Sequence, residues 1–239
     1  MRLDRFICKS TQLTREEART AVTEGRVVVN NVVDIHEAYQ VHENNMITLD
    51  GELLTPRASR YLMLHKPAGF ISSNVDARYP SLFHHVDISD KDNLHIAGRL
   101  DRDTTGLVLI TDDGRWSFNI ISPDTHCPKR YRVSLRNPIT VEAIEQLQNG
   151  VLLDGLDTPT RPAILEVITD QEVLLTITEG KYHQVKRMFA AVRNKVVTLH
   201  REKVGNLELD IPEGQWRYLT PTEVNYFQQE ADTSEISKP

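Results

Sequence analysis

Four consecutive apolar residues, Leu107 to Ile110, follow directly on a polar loop and stop at the turn formed by residues 111–114. An apolar run this short, bounded by turn residues, predicts a buried strand rather than a helix. Asp101 lies in the polar loop that enters the strand, where a rigid scaffold can present a carboxylate to a ligand. The spacing alone fits a structural role equally well, because loop aspartates commonly accept hydrogen bonds within their own turn.

Beyond residue 60 the chain mixes strand and helix patterns without a regular strand–helix–strand order. We predict strands at 61–64, 69–73, 107–111, 131–135, 163–168 and 173–178, and helices near 115–121, 140–149 and 183–192. This mixture is typical of an α+β domain rather than of a doubly wound parallel sheet. Residues 61–228 are therefore predicted to form one α+β domain.

Residues 1–54 have the pattern of a small separate module. Apolar spacing predicts two short helices, and the second begins with a capping box formed by Thr14 and Glu17. Gly25 is predicted to end that helix, and the pair Asn30-Asn31 between valine runs predicts a tight hairpin. The module is rich in arginine, with Arg2, Arg5, Arg15, Arg19 and Arg26.

Two further segments lie outside the predicted domains. Residues 55–60 are polar, contain a proline and are predicted to be a linker. Residues 229–239 are polar and are predicted to be a disordered tail. No apolar run approaches the roughly 20 residues that a membrane-spanning helix needs.

The distribution of charge is more informative than its sum. The net charge of −6 argues by itself against a nucleic-acid partner. Seven basic residues nevertheless lie between Lys181 and Lys203, with Glu202 as the one acid among them. A second basic cluster consists of Lys129, Arg130, Arg132 and Arg136. Two such clusters in an acidic protein favour a phosphate-binding groove.

The cysteines and histidines restrict the compartment and the cofactors. Cys8 and Cys127 lie far apart in unlike contexts, which is typical of two reduced thiols in a cytoplasmic protein. The nine histidines are scattered, and no glycine-rich dinucleotide loop is present. We therefore expect neither a metal nor an organic cofactor.

The Asp101 loop also fits the sequence pattern of one class of phosphatases. Asp101, Asp103 and Thr105 satisfy the Asp-x-Asp-x-Thr pattern of haloacid-dehalogenase-like phosphatases, in which the first aspartate is the phosphoryl nucleophile. That chemistry needs the aspartate at the C-terminal end of a buried parallel strand. Here the apolar run follows the aspartate, so we do not favour this alternative.

The segment GRLDRDTTGLVLITDDG, residues 98–114, resembles the signature of the pseudouridine synthase superfamily. Three further segments in the expected order resemble its other motifs: RYLMLHKPAGFISS (60–73), CPKRYRV (127–133) and EGKYHQVKRMFAAV (179–192). The N-terminal segments RLDRFI and TREEARTAVTEGRVVVNN resemble the S4 RNA-binding domain. Together these resemblances cover nearly all of residues 1–220 and indicate the superfamily branch that carries an S4 domain and acts on ribosomal RNA.

The resemblance implies an S4-like α/β RNA-binding domain, then a mixed, mainly antiparallel sheet with a central basic cleft. It also implies catalytic roles for three residues: Asp101 as the carboxylate that starts the reaction, as nucleophile or as base, Tyr131 as the ring against the target base, and Lys186 as the basic partner of Asp101. Many members of the superfamily have arginine at the position of Lys186. The expected RNA-binding and supporting residues are Arg99, Lys66, Lys129, His183, Gln184, Arg187 and the five arginines of the module. Lys66 is expected to be structural or phosphate-facing rather than catalytic.

The implied reaction isomerises one uridine in small-subunit (16S) ribosomal RNA, in an assembling ribonucleoprotein particle. The expected enzyme is a cytoplasmic monomer that does not bind membranes. Two alternatives remain open at this point. One is a synthase acting on a large-subunit uridine, and the other is a non-catalytic RNA-binding factor in ribosome assembly.

Overall fold

The computed structural model describes residues 1–33, 35–42, 44–89 and 91–235. The chain forms two compact units, the first comprising Met1–Ser59 and the second beginning at Arg60. In the part of the chain that is described, no helix is long and apolar enough to cross a membrane.

The first unit combines two helices with a three-stranded antiparallel sheet. Its elements are α1 (Leu3–Ser10), α2 (Arg15–Thr23), β1 (Val27–Val29), β2 (Ile47–Leu49) and β3 (Glu52–Leu53), and the strand order is β1-β2-β3. Apolar side chains from both helices and from the sheet form one buried core, which includes Leu3, Ile7, Ala18, Ala21 and Ile47. This unit therefore has its own hydrophobic core.

The caps and turns of the first unit follow from local sequence chemistry. Thr14 accepts a hydrogen bond from the backbone of Glu17, whose carboxylate accepts one from the backbone of Thr14, so the predicted capping box is confirmed. Gly25 follows the helix with φ of 72°. Asn30 and Asn31 both have positive φ, which confirms the tight turn. The strand that pairs with β1 is β2, whereas the predicted hairpin partner contributes one bridge only.

The second unit is built on a nine-stranded mixed sheet. Its strands are β4 (Tyr61–Lys66), β5 (His95–Ala97), β6 (Thr105–Thr111), β7 (Lys129–Leu135), β8 (Ile164–Thr169), β9 (Glu172–Ile177), β10 (Val196–Val204), β11 (Leu207–Glu208) and β12 (Trp216–Tyr218). Its helices are α3 (Gly114–Ile121), α4 (Val141–Asn149), α5 (Gln184–Ala191) and α6 (Pro221–Glu235). The main path of the sheet is β12-β4-β6-β10-β7-β9-β8, with β5 added to β6 and β11 to β10.

Among the described strands, β6 and β10 form the one parallel pair, so the expected α+β fold with a mainly antiparallel sheet is confirmed. β4 pairs along its full length with β6, from Tyr61 opposite Thr111 to Lys66 opposite Gly106. The other edge of β6 is shared, because β5 pairs at residues 109–111 and β10 pairs at Thr105 and Gly106. The chain between β5 and β6, which contains Asp101, therefore leaves the sheet where β5 and β10 diverge.

The sheet has an apolar layer on each face because its central strands alternate between the two sides. Leu62, Leu64, Val108 and Ile110 contribute to one layer, together with residues of α5. The intervening residues of β4 and β6 contribute to the other layer, together with Trp116 of α3 and residues of α6. Central strands buried on both faces explain why the Leu107–Ile110 run contains no polar residue.

Several elements differ from the predictions, and the short strands β5, β11 and β12 are among those that were not predicted. Residues 69–73 bend and make one bridge, Ile71 to Ser81, so the predicted strand there is wrong. β10 was not predicted, because its sequence VVTLHREKV carries charged side chains that hide its apolar alternation. Helix α6 extends through Glu235 and so occupies part of the expected disordered tail, since no proline or glycine interrupts it. Residues 236–239 lie outside the described residues.

Gly106 is required where β6 and β10 meet. Its φ is 112°, and a Cβ there would lie 2.3 Å from the carbonyl oxygen of Arg201. We expect Gly106→Ala to lower the free energy of unfolding by about 3–5 kcal/mol, because strain and a backbone clash combine. Gly155→Ala is the matched control, since Gly155 has φ of 74° but no atom within 4 Å of its Cβ position. That control should lose about 1–2 kcal/mol, the cost of a non-glycine residue in the left-handed region. Equal losses in urea unfolding would contradict this account.

Candidate active site

The turn that carries Asp101 is fixed by neighbouring backbone and hydroxyl groups. Ser72 Oγ donates to the carbonyl of Leu100 at 2.7 Å and accepts from the amide of Leu100 at 3.1 Å. The amide of Gly69 donates to the carbonyl of Arg102 at 2.8 Å. The segment that was predicted as a strand at 69–73 thus supports the turn instead of joining the sheet.

The side chain of Lys66 also supports the turn that carries Asp101, through hydrogen bonds to its backbone. Its side chain is fully buried, and its ammonium donates to the carbonyls of Pro67, Arg102 and Thr104 at 3.0, 3.2 and 2.8 Å. Burial lowers the pKa of this ammonium to about 8. A fully buried lysine cannot contact RNA, so its assignment to the RNA-binding residues is wrong and its alternative, structural role agrees with these contacts.

The carboxylate of Asp101 has two cationic or potentially cationic neighbours and is partly exposed. Lys186 Nζ lies 2.9 Å from Oδ2, and His183 Nε2 lies 3.3 Å from Oδ1. Lys186 also donates to Asp103 Oδ1 at 2.6 Å. Although burial opposes its charged form, the hydrogen bonds to Asp103 and Asp101 raise the pKa of Lys186. The site therefore keeps a cation beside the Asp101 carboxylate.

The strand geometry around Asp101 disagrees with the phosphatase alternative. β5, which leads into the Asp101 turn, runs antiparallel to β6. Asp101 also precedes β6 instead of following a parallel strand. The nucleophile position that such a phosphatase needs is therefore absent from this part of the fold. Across the described residues, no group of three or more His, Cys, Asp or Glu side chains can hold a metal ion.

Two residues at the start of α5 have side chains that hydrogen-bond to neighbouring groups of the protein. Gln184 is buried, and its amide group accepts from the backbone of Lys181 and donates to Glu179. Arg187 donates to the carbonyls of Tyr182 and Asp154. Both side chains were expected to bind RNA. Gln184 braces the turn before α5. The Arg187 guanidinium uses part of its hydrogen-bonding capacity on backbone carbonyls of the protein.

A cavity of about 690 Å³ opens beside Asp101. Tyr131 lines this cavity with its side chain largely buried, and Arg99 and Lys129 also line it. Arg99 is exposed, whereas Lys129 is 6% exposed and donates to the carbonyl of Cys127. Of the expected catalytic residues, Asp101 and Tyr131 line the cavity, and Lys186 is joined to it through Asp101.

Sequence reasoning missed two residues of the cavity wall. Arg201 is 2% exposed and donates to the carbonyls of Leu107 and Gly98 at 2.8 and 2.7 Å. Tyr182 is 77% exposed and stacks on His183 with ring centroids 3.8 Å apart. Arg201 was counted only as one charge in a basic run. Recognising β10 as a strand would have separated its inward-facing arginine from the outward-facing charges.

The second basic cluster is divided between the two faces of β7. Lys129 and Tyr131 face the cavity, so Arg130 and Arg132 point to the opposite side. There Arg132 pairs with Glu202 and Glu172, and Arg130 also pairs with Glu202. The two basic clusters were expected to favour a phosphate-binding groove, and the ion pairs of Arg130 and Arg132 remove these two arginines from that expectation.

In the first unit, three arginines converge on one buried carboxylate. Arg2, Arg15 and Arg19 each place a guanidinium nitrogen within 3.4 Å of Asp4, whose side chain is fully buried. Although burial opposes ionisation, hydrogen bonds from Arg2 and Arg15 lower the pKa of Asp4. The three arginine side chains remain 34–48% exposed. One carboxylate therefore organises an exposed cluster with net positive charge.

The remaining two arginines of this unit differ from each other. Arg26 pairs with Asp50 and Glu24, so its charge is compensated and the expectation that it binds RNA loses its support. Arg5 is exposed, and its guanidinium has no partner among the described residues.

Comparisons with known proteins agree on one family. The RNA pseudouridylate synthase model matches residues 60–191, and the S4 domain model matches residues 1–47. The relative from Pasteurella multocida, named ribosomal small subunit pseudouridine synthase A, is 48% identical over 95% of this chain and 99% of its own. Proteins of the same name from Vibrio cholerae and Escherichia coli are 47% and 44% identical over 94% of this chain and 98% of their own. A crystal structure described as a pseudouridylate synthase is 45% identical, covers 95% of this chain and 99% of its own, and has a TM-score of 0.70.

The buried ammonium of Lys66 makes stability depend on pH. Its pKa is about 8 in the folded chain against an ordinary 10.5, so between these pH values only the unfolded chain holds the proton. The free energy of unfolding should therefore rise with pH across this window, by up to about 3 kcal/mol relative to Lys66→Met. Urea unfolding of both proteins measures the difference. Lys195→Met, which removes an exposed lysine, should show no such trend. If the difference in unfolding free energy between the two proteins did not change with pH, burial of the Lys66 charge would cost nothing.

Proposed function

This chain belongs to the RNA pseudouridylate synthase family, and on that premise we propose that it converts one uridine of small-subunit ribosomal RNA to pseudouridine with Asp101 as the catalytic carboxylate. One observation carries the assignment of Asp101. Its carboxylate lies at the cavity beside Tyr131 and is held by Lys186 at 2.9 Å. The names of the relatives support the choice of the small subunit.

The proposed reaction needs a carboxylate but no added reactant. The bond between N1 of the uracil and C1′ of the ribose breaks, the base turns, and C5 joins C1′. Asp101 either attacks C1′ or removes a proton from the sugar, and both roles require its ionised form. The cation of Lys186 stabilises that form in a partly enclosed site. His183 at 3.3 Å gives the carboxylate a second neighbour.

Tyr131 is proposed as the surface on which the uracil rests. A base inside a helix cannot reach Asp101, so the target nucleotide must leave the stack and enter the cavity. A tyrosine ring can stack against any base, a contact worth about 1–3 kcal/mol. Tyr131 lines the cavity while most of its ring is buried. This burial supports the role of a fixed stacking surface rather than that of a mobile side chain.

The arginines are proposed to hold the RNA around the target. In the first unit, Asp4 fixes Arg2, Arg15 and Arg19 with their outer faces exposed, and Arg5 is free to reach a phosphate. Arg99 is exposed at the cavity and is proposed to contact the backbone of the target strand. We retain residues 1–54 as the RNA-binding domain and residues 61–228 as the catalytic domain.

We further propose that a monomer acts on an assembling ribonucleoprotein particle in the cytoplasm. The relatives are named for the ribosomal small subunit, which supports a substrate in that subunit. The assay below therefore presents the RNA both alone and with ribosomal proteins.

Asp101→Asn should keep RNA binding and lose turnover by at least about 10⁴-fold, as expected for loss of an essential reacting group. Pseudouridine is mapped on unmodified small-subunit ribosomal RNA by carbodiimide adducts and primer extension. Asp103→Asn is the matched control, because it removes the other carboxylate that Lys186 contacts. It should lose no more than about tenfold, since Asp101 keeps its own contact with Lys186.

The outcomes of this assay separate the candidate functions. A single stop that depends on Asp101 supports both the reaction and the target. A stop on large-subunit RNA alone would retain the reaction and replace the substrate. Binding without product on any RNA would favour a non-catalytic assembly factor and overturn the proposal.

Arg5→Ala should weaken RNA binding in a salt-dependent way. Loss of one phosphate contact lowers the slope of log K against log salt by about 0.7–0.9. Arg26→Ala removes the same charge from the same unit, but that charge is already paired with Asp50 and Glu24. Its slope should be nearly unchanged. Binding titrations at several salt concentrations measure both slopes, and equal slopes for the two variants would argue against the role of Arg5.

A further inference from the structure

Two buried cations line the cavity next to Tyr131. Arg201 is 2% exposed and Lys129 is 6% exposed, and both border the cavity. Arg201 Nη1 lies 3.5 Å from the hydroxyl oxygen of Tyr131. Burial lowers the pKa of Lys129; Cys127 acts to raise it and the charge of Arg201 acts to lower it further.

Neither cation has a carboxylate partner among the described residues. Arg201 donates to two backbone carbonyls and Lys129 to one, and no salt bridge of either is found in this part of the chain. Burying a charge without a counter-charge is costly. The backbone carbonyls require only hydrogen-bond donors, and a neutral side-chain amide such as that of glutamine would also supply them. The charges themselves therefore remain unexplained by the fold.

The other cations in or beside the cavity are compensated or exposed. Lys186 contacts two carboxylates and Lys181 pairs with Glu179. Arg102 packs over the ring of Tyr79, and Arg99 is exposed to solvent. Arg201 and Lys129 are thus the buried, uncompensated positive charges of the described cavity wall.

The proposed reaction creates a negative charge beside them. When the N1–C1′ bond breaks, its electron pair stays on the uracil, and the charge spreads over the ring and its oxygens. The pair is returned when C5 attacks C1′, C5 loses its proton and N1 gains one, so nothing is added overall. Preorganised positive charges in a water-excluded site stabilise such a transient anion.

We propose that Arg201 and Lys129 stabilise the detached uracil anion, with the ring lying on Tyr131. The inference rests on the proposed function, since it assumes that uracil occupies this cavity. It assigns two catalytic residues besides Asp101 and gives the cavity wall a chemical role. Arg201 additionally ties the turn at Gly98 to β6 through its two carbonyl contacts.

The test compares Lys129→Gln with the unsubstituted enzyme on two substrates. Both are small-subunit ribosomal RNA transcripts, one with uridine and one with 5-fluorouridine, presented with ribosomal proteins if the enzyme requires them. The electron-withdrawing fluorine stabilises negative charge on the ring, so the fluorinated base needs less help to leave. Rates are measured under single-turnover conditions as loss of the original nucleoside in nuclease digests. Release of the C5 proton cannot serve as the readout for both substrates, because the fluorinated base carries no proton at C5.

We expect Lys129→Gln to slow the uridine reaction by about 100-fold at unchanged RNA affinity, the loss typical of one electrostatic donor. The loss on 5-fluorouridine RNA should be at least tenfold smaller. Lys181→Gln is the matched control, because it removes a cavity lysine that is already paired with Glu179. Any loss it causes should be equal on both substrates.

Arg201→Gln provides a second variant, with its melting temperature measured because Arg201 also supports the fold. Equal losses on the two substrates for Lys129→Gln, or a loss confined to RNA affinity, would overturn the inference while leaving the proposed function intact. If the unsubstituted enzyme forms no pseudouridine on any RNA, the proposed function itself fails. The two failures are therefore distinguishable.

Discussion

The close approach of β6 and β10 at Gly106 determines where the site lies. The parallel contact there covers only Thr105 and Gly106 on one edge of β6, and β5 pairs with residues 109–111 on the same edge. The connection between β5 and β6 must therefore leave the sheet at this division, and it carries Asp101. The side chain of Arg201, on β10, is directed to Gly98 and Leu107 by the same contact. One backbone contact thus fixes both the catalytic turn and one wall of its cavity.

Cations and carbonyls, rather than ion pairs, hold the turn in place. Lys66 donates to the carbonyls of Arg102 and Thr104, which follow Asp101 in the sequence. Arg201 donates to the carbonyl of Gly98, which precedes Asp101. Because both cations are buried, the positions of these carbonyls are strongly restrained. Lys186 is left to contact the Asp101 carboxylate itself. Backbone support and carboxylate pairing are therefore carried by different residues.

The sequence predicted what depends on local chemistry and failed where burial or strand register decides. The Thr14 capping box and the Leu107–Ile110 strand follow from short-range patterns. The chemical roles of Asp101, Tyr131 and Lys186 came from a family resemblance, because spacing alone fitted a structural aspartate equally well. The RNA-binding assignment of Lys66 failed because a sequence does not report which polar side chains are buried. Gln184 lines the cavity and braces the turn before α5, as expected. The arginines of β7 were misjudged because their carboxylate partners lie on other strands.

The contacts of Asp101 also indicate how the site can admit a substrate. Lys186 is bound at 2.9 Å to one carboxylate oxygen, whereas His183 lies 3.3 Å from the other. Of the two contacts, the longer one costs less to give up when a ribose approaches. Asp103 gives Lys186 a second carboxylate at 2.6 Å, so the lysine stays in place during that exchange. Oδ1 of Asp101 is therefore the less tightly held of the two carboxylate oxygens, and Oδ2 is the one paired with Lys186.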